Sequence, residues 1–266
     1  MNSRTLPSRP VGRTALAVGV GVAAAGAVAA LLNGWLARRA EDRNLPIGRF
    51  ITVNGIRLHY VDRGSGIPLV LLHGNGSMIE DFKSSGLLDR AARKYRVIAF
   101  DRPGFGHSDR PRDIVWTPQL QAQLIAAALT EIGVSKPMIL GHSWGALVAV
   151  ALALQYPRAV QALVRPWQLR AAAAETALMN PTVRGLRNRY RQLKMPVIIV
   201  AGAQDQFVES DQSRKLHREI SDSTLRLIPS QGHMVHQTAT SEVLSAIDTA
   251  AGYRRALGVE AAPANR

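Results

Sequence analysis

Beyond residue 48 the chain changes its hydrophobic rhythm once. Residues 50 to 64, FITVNGIRLHYVDRG, alternate apolar and polar positions on either side of Asn54-Gly55. Alternation predicts half-buried strands, and Asn-Gly is the strongest short signal for a tight hairpin, so two antiparallel strands are expected here. After them come short, nearly continuous apolar runs: PLVLLHG (68–74), YRVIAFD (95–101), KPMILGH (136–142), VQALV (160–164), PVIIVAG (196–202) and STLRLIP (223–229). Runs of this kind suit strands covered on both faces. Helical stretches separate several of them. TPQLQAQLIAAALTEIG opens with Thr117 as N-cap and Pro118 at the first helical position, and WGALVAVALALQYP stops at a proline. A helix of its own is also expected over TVRGLRNRYRQL. Strand alternating with helix predicts one α/β domain built on a doubly wound, mostly parallel sheet.

The N-terminal part follows another rule. Thr14 to Leu32 is nineteen residues without a charge, followed by Trp35 and then Arg38 and Arg39. That length suits a bilayer span, with Trp35 where an interfacial aromatic would sit. A signal anchor is favoured, because the run exceeds the usual h-region of a secretory signal. The alternatives are a signal peptide cleaved after Ala27-Val28-Ala29, which would release a secreted protein, and a buried helix. Arginines flank both ends, so membrane orientation is not readable. The organisation expected is an anchor over 1–37, a polar linker over 38–48, a globular domain over 49–258 and a disordered tail over 259–266.

Composition then removes function classes. The hydrophobic fraction of 47% is ample for a core, and the absence of cysteine excludes disulfides and thiolate chemistry. Lys+Arg 33 against Asp+Glu 19 leaves +14, but the excess is spread along the chain with no aromatic-interleaved basic motif. No nucleic-acid partner is expected. No H-E-x-x-H or similar ligand spacing appears, so neither a metal nor a cofactor is implied. Oligomeric state has no signal.

Chemistry concentrates at one motif. Gly141-His142-Ser143-Trp144-Gly145 follows an apolar strand and precedes an apolar helix, the context of a nucleophile elbow. Ligands of such sheets bind at the carboxyl ends of the strands, where Ser143 falls. A serine hydroxyl needs a base, and the base needs an orienting acid. Asp205, past the strand VIIVAG, is the candidate acid; the other loop that could supply one, after VQALV, offers only Arg165 and Pro166. Capping of the helix that follows is assigned to Ser210. SQGHMVHQ offers two histidines for the base; His233 is chosen because the loop reaches the serine at its first turn, and His236 is expected to start the final helix. Backbone N–H groups of Asn75 and Trp144 are the candidate oxyanion donors. His73, His107 and His142 are read as structural.

LLHGNG, AFDRPGFGHSDRP, LGHSWGALVAVALALQYP, AGAQDQFV and GHMVHQ, in this order, resemble the α/β-hydrolase fold family over about residues 49 to 252. The resemblance implies a cofactor-free serine hydrolase, with Ser143, Asp205 and His233 at the triad positions and Asn75 and Trp144 at the oxyanion hole. Members with haloalkane dehalogenase or epoxide hydrolase activity carry aspartate where Ser143 stands, which disfavours those reactions. Carbon–carbon bond hydrolases usually show a longer glycine-proline pattern than HGNGSM. Perhydrolases and haloperoxidases share the triad, so the motif leaves them open. Family members commonly insert a helical cap of many tens of residues, yet only 37 residues lie between Pro157 and Met195. A short cap over about 165–181 is expected, with Trp167, Leu178 and Met179 walling an open substrate pocket. The function expected is hydrolysis of a small carboxylic ester by a membrane-anchored enzyme. The alternative is a catalytically idle module of the same fold.

Overall fold

The computed structural model describes residues 45–166, 185–187, 189–206 and 208–256, with residues 24, 26–29, 31, 32, 35 and 39 of the N-terminal segment. Two compact units result, Met1–Pro46 and Ile47–Arg266. In the first, the described residues from 24 to 39 are helical and exposed, and Leu45 and Pro46 are exposed and without regular structure. Among the described residues no helix is long and apolar enough to cross a membrane. Most of the uncharged run from Thr14 to Leu32 lies outside the described residues, as do the tail 259–266 and the cap residues Trp167, Leu178 and Met179.

The second unit is built on an eight-stranded sheet in the order β1-β2-β4-β3-β5-β6-β7-β8. β1 (Arg49–Val53) and β2 (Ile56–Arg63) form the expected hairpin, closed by Asn54 and Gly55 at φ of 51° and 77°. Two consecutive positive φ values describe the turn whose twist matches that of the flanking strands. β2 also pairs antiparallel with β4 (Arg96–Phe100). Every other pairing is parallel and joins β4 in turn to β3 (Pro68–Leu72), β5 (Met138–Gly141), β6 (Ala162–Pro166), β7 (Val197–Gly202) and β8 (Ser223–Ile228). β6 begins two residues later than the apolar run VQALV suggests.

Continuous apolar strands are what two covered faces demand, and the side chains show it. Val70, Leu72, Ile98, Phe100, Ile139, Leu163 and Ile199 join one core cluster; their neighbours Leu69, Leu71, Val97, Ala99, Leu140, Val164 and Ile198 join another. The first cluster packs against α3 (Pro118–Glu131) and α4 (Trp144–Gln155), the second against α1 (Ile79–Ser84), α2 (Leu87–Ala91) and α7 (Thr240–Ala256). α3 starts as expected, with Thr117 Oγ1 accepting from the N–H of Leu120 at 3.2 Å. α5 (Ser210–Glu219) does not: Glu209 occupies the N-cap position without a side-chain bond, and Ser210 is the first helical residue. The expected helix over TVRGLRNRYRQL is interrupted. Residues 185–187 are helical and Tyr190–Gln192 make a single tighter turn.

Parallel pairing sends the loops after β3, β5, β7 and β8 to one edge of the sheet. Those loops begin at His73, His142, Ala203 and Pro229, and they carry Asn75, Ser143, Asp205 and His233. The approach of α4 to β3 makes this edge tight. A Cβ at Gly145 would collide with the carbonyls of Leu72 and His73, and one at Gly141 would lie 2.5 Å from the carbonyl oxygen of Gly145. Gly145→Ala is therefore expected to destabilise the fold by more than about 2 kcal/mol, since the obstacle is backbone and cannot swing away. Gly252→Ala on α7, where nothing lies within 4 Å, should instead stabilise by about 0.5–1 kcal/mol. Urea unfolding of both variants checks the pair; equal stabilities would refute the packing argument.

Candidate active site

Ser143 stands between the last residue of β5 and the first of α4, separated from the strand by His142 alone. Its backbone is held at φ 53° and ψ −122°. A side-chain-bearing residue there is strained by about 1–3 kcal/mol and persists only where its surroundings impose it. The surroundings are explicit. The N–H of His142 donates to Leu72 O at 2.9 Å, that of Gly145 to His142 O at 2.8 Å, and that of Ala146 to Ser143 O at 2.8 Å. The turn thus holds a serine at the carboxyl edge, 8% exposed and lining a cleft.

Asp205 and His233 meet across the same edge. His233 Nδ1 lies 3.0 Å from Asp205 Oδ2 and 3.2 Å from Oδ1, and Asp205 Oδ1 also accepts from the N–H of Val208 at 2.9 Å. A buried carboxylate opposite Nδ1 fixes the tautomer with the proton on Nδ1 and the lone pair on Nε2. Burial pushes the His233 pKa down and Asp205 pulls it back; burial prevails, and the ring stays below its ordinary value. His236 does not contact Asp205 in this way. It sits in the short helix α6 (Val235–Thr238), ahead of the final helix rather than at its start, and is fully buried.

The cleft measures about 540 Å³ and is lined by Asn75, Ser77, Asp81, His142, Ser143 and His233, among others. The loop bearing Asn75 is propped from below by Arg102, itself fully buried. Arg102 Nε donates to His73 O at 2.8 Å, Nη2 to Gly74 O at 2.9 Å and Nη1 to Gln121 Oε1 at 2.9 Å. His73 completes the prop: its Nε2 accepts from the N–H of Arg102 at 2.9 Å while Nδ1 donates to Gly74 O at 2.7 Å. Burial and the nearby guanidinium lower the His73 pKa to about 3, so it is a neutral strut and not a proton carrier. Asn75 contributes more than a backbone group: both atoms of its side-chain amide are buried with no hydrogen-bond partner among the described residues. Trp144 opens α4, so its N–H belongs to the first-turn amides that a helix leaves without internal partners. Its indole is packed in the core.

Three features escape sequence patterns. Asp81 on α1 accepts from Ser77 Oγ at 2.9 Å, from His236 Nε2 at 2.9 Å and from Gln237 Nε2, tying the Asn75 loop to the segment that carries His233. These donors hold its carboxyl well below the usual range although burial acts the other way. Asp101 does a similar task one layer down, accepting from the N–H of Ile79 at 2.8 Å, from His59 Nδ1 at 2.7 Å and from the N–H of His107 at 3.1 Å. His107 packs edge-on against His59, away from the cleft. His142 is buried against the ring of His236, with ring centroids 3.9 Å apart.

Comparison with known proteins bears on the fold. A family described as "alpha/beta hydrolase fold" matches residues 67–165, and one described as "Serine hydrolase (FSH1)" matches residues 120–243. Together the two matches place residues 67–243 as similar to the α/β-hydrolase fold family. It is 34% identical over 126 residues to 2-hydroxymuconate semialdehyde hydrolase of Pseudomonas sp. (strain CF600), covering 47% of this chain and 44% of that protein. It is 32% identical over 127 residues to cis-3-alkyl-4-alkyloxetan-2-one decarboxylase of Shewanella oneidensis, covering 46% and 39%. The matched region spans less than half the length of each of these curated relatives. Among solved structures, the CIB-like hydrolase of Thermoplasma acidophilum superposes with a TM-score of 0.65 at 24% identity, over 76% of this chain and 95% of the other. A meta-cleavage product hydrolase of Pseudomonas fluorescens IP01 gives 0.66 at 20%, over 79% and 99%.

Arg102→Met removes the prop and leaves two buried carbonyls without their donors. It should lower stability by about 2–4 kcal/mol, measured by thermal or urea unfolding. A change below about 0.5 kcal/mol would mean that the loop is held by other contacts.

Proposed function

We propose that this chain is a serine hydrolase that cleaves carboxylic esters through an acyl-enzyme intermediate. The observation that carries the proposal is a strained serine at the strand-to-helix turn, sharing one cleft with a histidine bonded to a buried aspartate. In this reading Ser143 Oγ attacks the ester carbonyl while His233 Nε2 takes its proton. Asp205 keeps the ring in the required tautomer and stabilises the imidazolium that forms. The oxygen that becomes anionic is met by backbone N–H groups of Asn75 and Trp144. His233 then protonates the departing alkoxide, the alcohol leaves, and a water deprotonated by the same ring hydrolyses the acyl-serine. The serine in place of aspartate supports this chemistry over that of relatives named haloalkane dehalogenase and epoxide hydrolase.

A second reading rests on the relatives named 2-hydroxymuconate semialdehyde hydrolase: the same residues would hydrolyse a substrate of that kind. Turnover of that semialdehyde exceeding turnover of every aryl ester in a series would favour it. We place the enzyme at a membrane, on the strength of the uncharged run from Thr14 to Leu32. Retention of the full-length chain in the pellet after carbonate extraction supports that; release, with a mature start near Ala30, favours secretion.

Fluorophosphonate labelling with aryl-ester kinetics tests the central reading. Ser143→Ala and His233→Ala should each lower kcat/KM by a factor on the order of 10⁴ or more, and Asp205→Asn by less. Failure of the native chain to label beside a reactive serine hydrolase would leave an idle module of this fold.

The pH profile is a separate expectation. A base held below 6.5 is deprotonated at neutral pH and loses function only as the pH falls through its lowered value. The acidic limb of kcat/KM should therefore have its midpoint below 6.5; a midpoint above 7 would mean that burial does not set this group.

A further inference from the structure

Beside the Asp205–His233 pair lies a second cluster that ester hydrolysis does not use. Asp81 on α1, His142 before the elbow and His236 on α6 come from separate segments, and one donor atom from each lies within 4.8 Å of the others. The bond between Asp81 and His236 Nε2, together with those from Ser77 and Gln237, accounts for the carboxylate. It leaves the imidazoles unexplained. His142 is 3% exposed and His236 fully buried, yet both ring nitrogens of His142 and Nδ1 of His236 have no hydrogen-bond partner among the described residues. An unsatisfied buried polar group costs about 1–3 kcal/mol, and here three cluster around one carboxylate.

We infer that Asp81, His142 and His236 form a binding site for a divalent first-row transition metal ion of the Zn²⁺ or Co²⁺ kind. Two imidazoles and one carboxylate suit such ions better than Ca²⁺ or Mg²⁺, which take oxygen ligands. Metal–ligand distances of about 2.0–2.2 Å set donors roughly 3.4 Å apart around a tetrahedral ion. Separations of up to 4.8 Å must therefore shrink while the 2.9 Å contact of Asp81 with His236 opens slightly, both within reach of side-chain rotation. Entry is available, because Asp81 and His142 both line the cleft. Three protein ligands leave a fourth position for water or for a ligand in that cleft.

Calorimetric titration of the untagged full-length chain, stripped with chelator and titrated with Zn²⁺, tests the site. Binding is read as heat and not as turnover, so its outcome is separate from that of the esterase assignment. About one ion per chain should bind with a dissociation constant on the order of micromolar or tighter. His236→Gln and Asp81→Asn should each weaken binding by at least about tenfold, while His217→Gln leaves it unchanged. Absence of binding up to millimolar Zn²⁺ would overturn the proposal, as would full binding in His236→Gln or loss of binding in Asp205→Asn alone. Should His236→Gln not fold, imidazole NMR of the wild type decides. The His142 and His236 resonances must shift with Zn²⁺ and those of His59 must not; any other pattern overturns the site.

Discussion

Gly145 lies so close beneath the carbonyls of Leu72 and His73 that no side chain fits there, and the rest of the carboxyl edge follows from that approach. It lets α4 begin almost on top of β3. The chain must then pass from strand to helix in two residues, and it does so by placing Ser143 at φ 53°. The strain of that conformation is carried by ten buried residues of α4, Trp144 to Ala153, packed against the sheet. A helix anchored so thoroughly does not relax its first turn. The serine is held proud by packing energy gathered elsewhere, which is how a reactive position is kept in a conformation a free chain would avoid.

Hydrogen bonds then bring the other loops to the serine. Arg102 and His73 clamp the carbonyls of the loop after β3, Asp101 clamps the start of α1, and Asp81 ties α1 to the segment after β8. Each clamp joins residues from different strands, so the Asn75 loop and the His233 loop are fixed relative to one frame. That rigidity suits the proposed acyl transfer, where donors must already point at the place where charge develops. Burial contributes too. By one physical effect it lowers the pKa of both His233, the proposed base, and His73, the strut beneath the Asn75 loop.

Much of this was legible in the sequence, because it is local. The Asn54-Gly55 hairpin, the apolar strands and the Thr117–Pro118 helix start are written in patterns a few residues long, and the observed elements match them to within about two residues. The loops bearing Asn75, Ser143, Asp205 and His233 were legible for the same reason, since strand order and the glycine bracket place them at one edge. What escaped is non-local or short. α1 and α2 are six and five residues long, too brief to show a helical period. The contact of Asp81 with His236 spans 155 positions, and nothing in the spacing of either residue points to the other. Wide separation in sequence also hid the cluster of His142 with Asp81 and His236, so that neither motif nor ligand spacing announced it. Ser210 failed as a cap because α5 is entered through Glu209, with the preceding N–H of Val208 already bound to Asp205.

Ser143 Oγ is the proposed carrier of the acyl group. Rapid quenching of the full-length chain during turnover of an activated aryl ester, followed by intact mass and peptide mapping, addresses that directly. The expected result is a mass increase of one acyl group, located on Ser143 in the peptide containing GHSWG. An acyl group on a different residue, or ester turnover with no covalent adduct and no pre-steady-state burst, would contradict it.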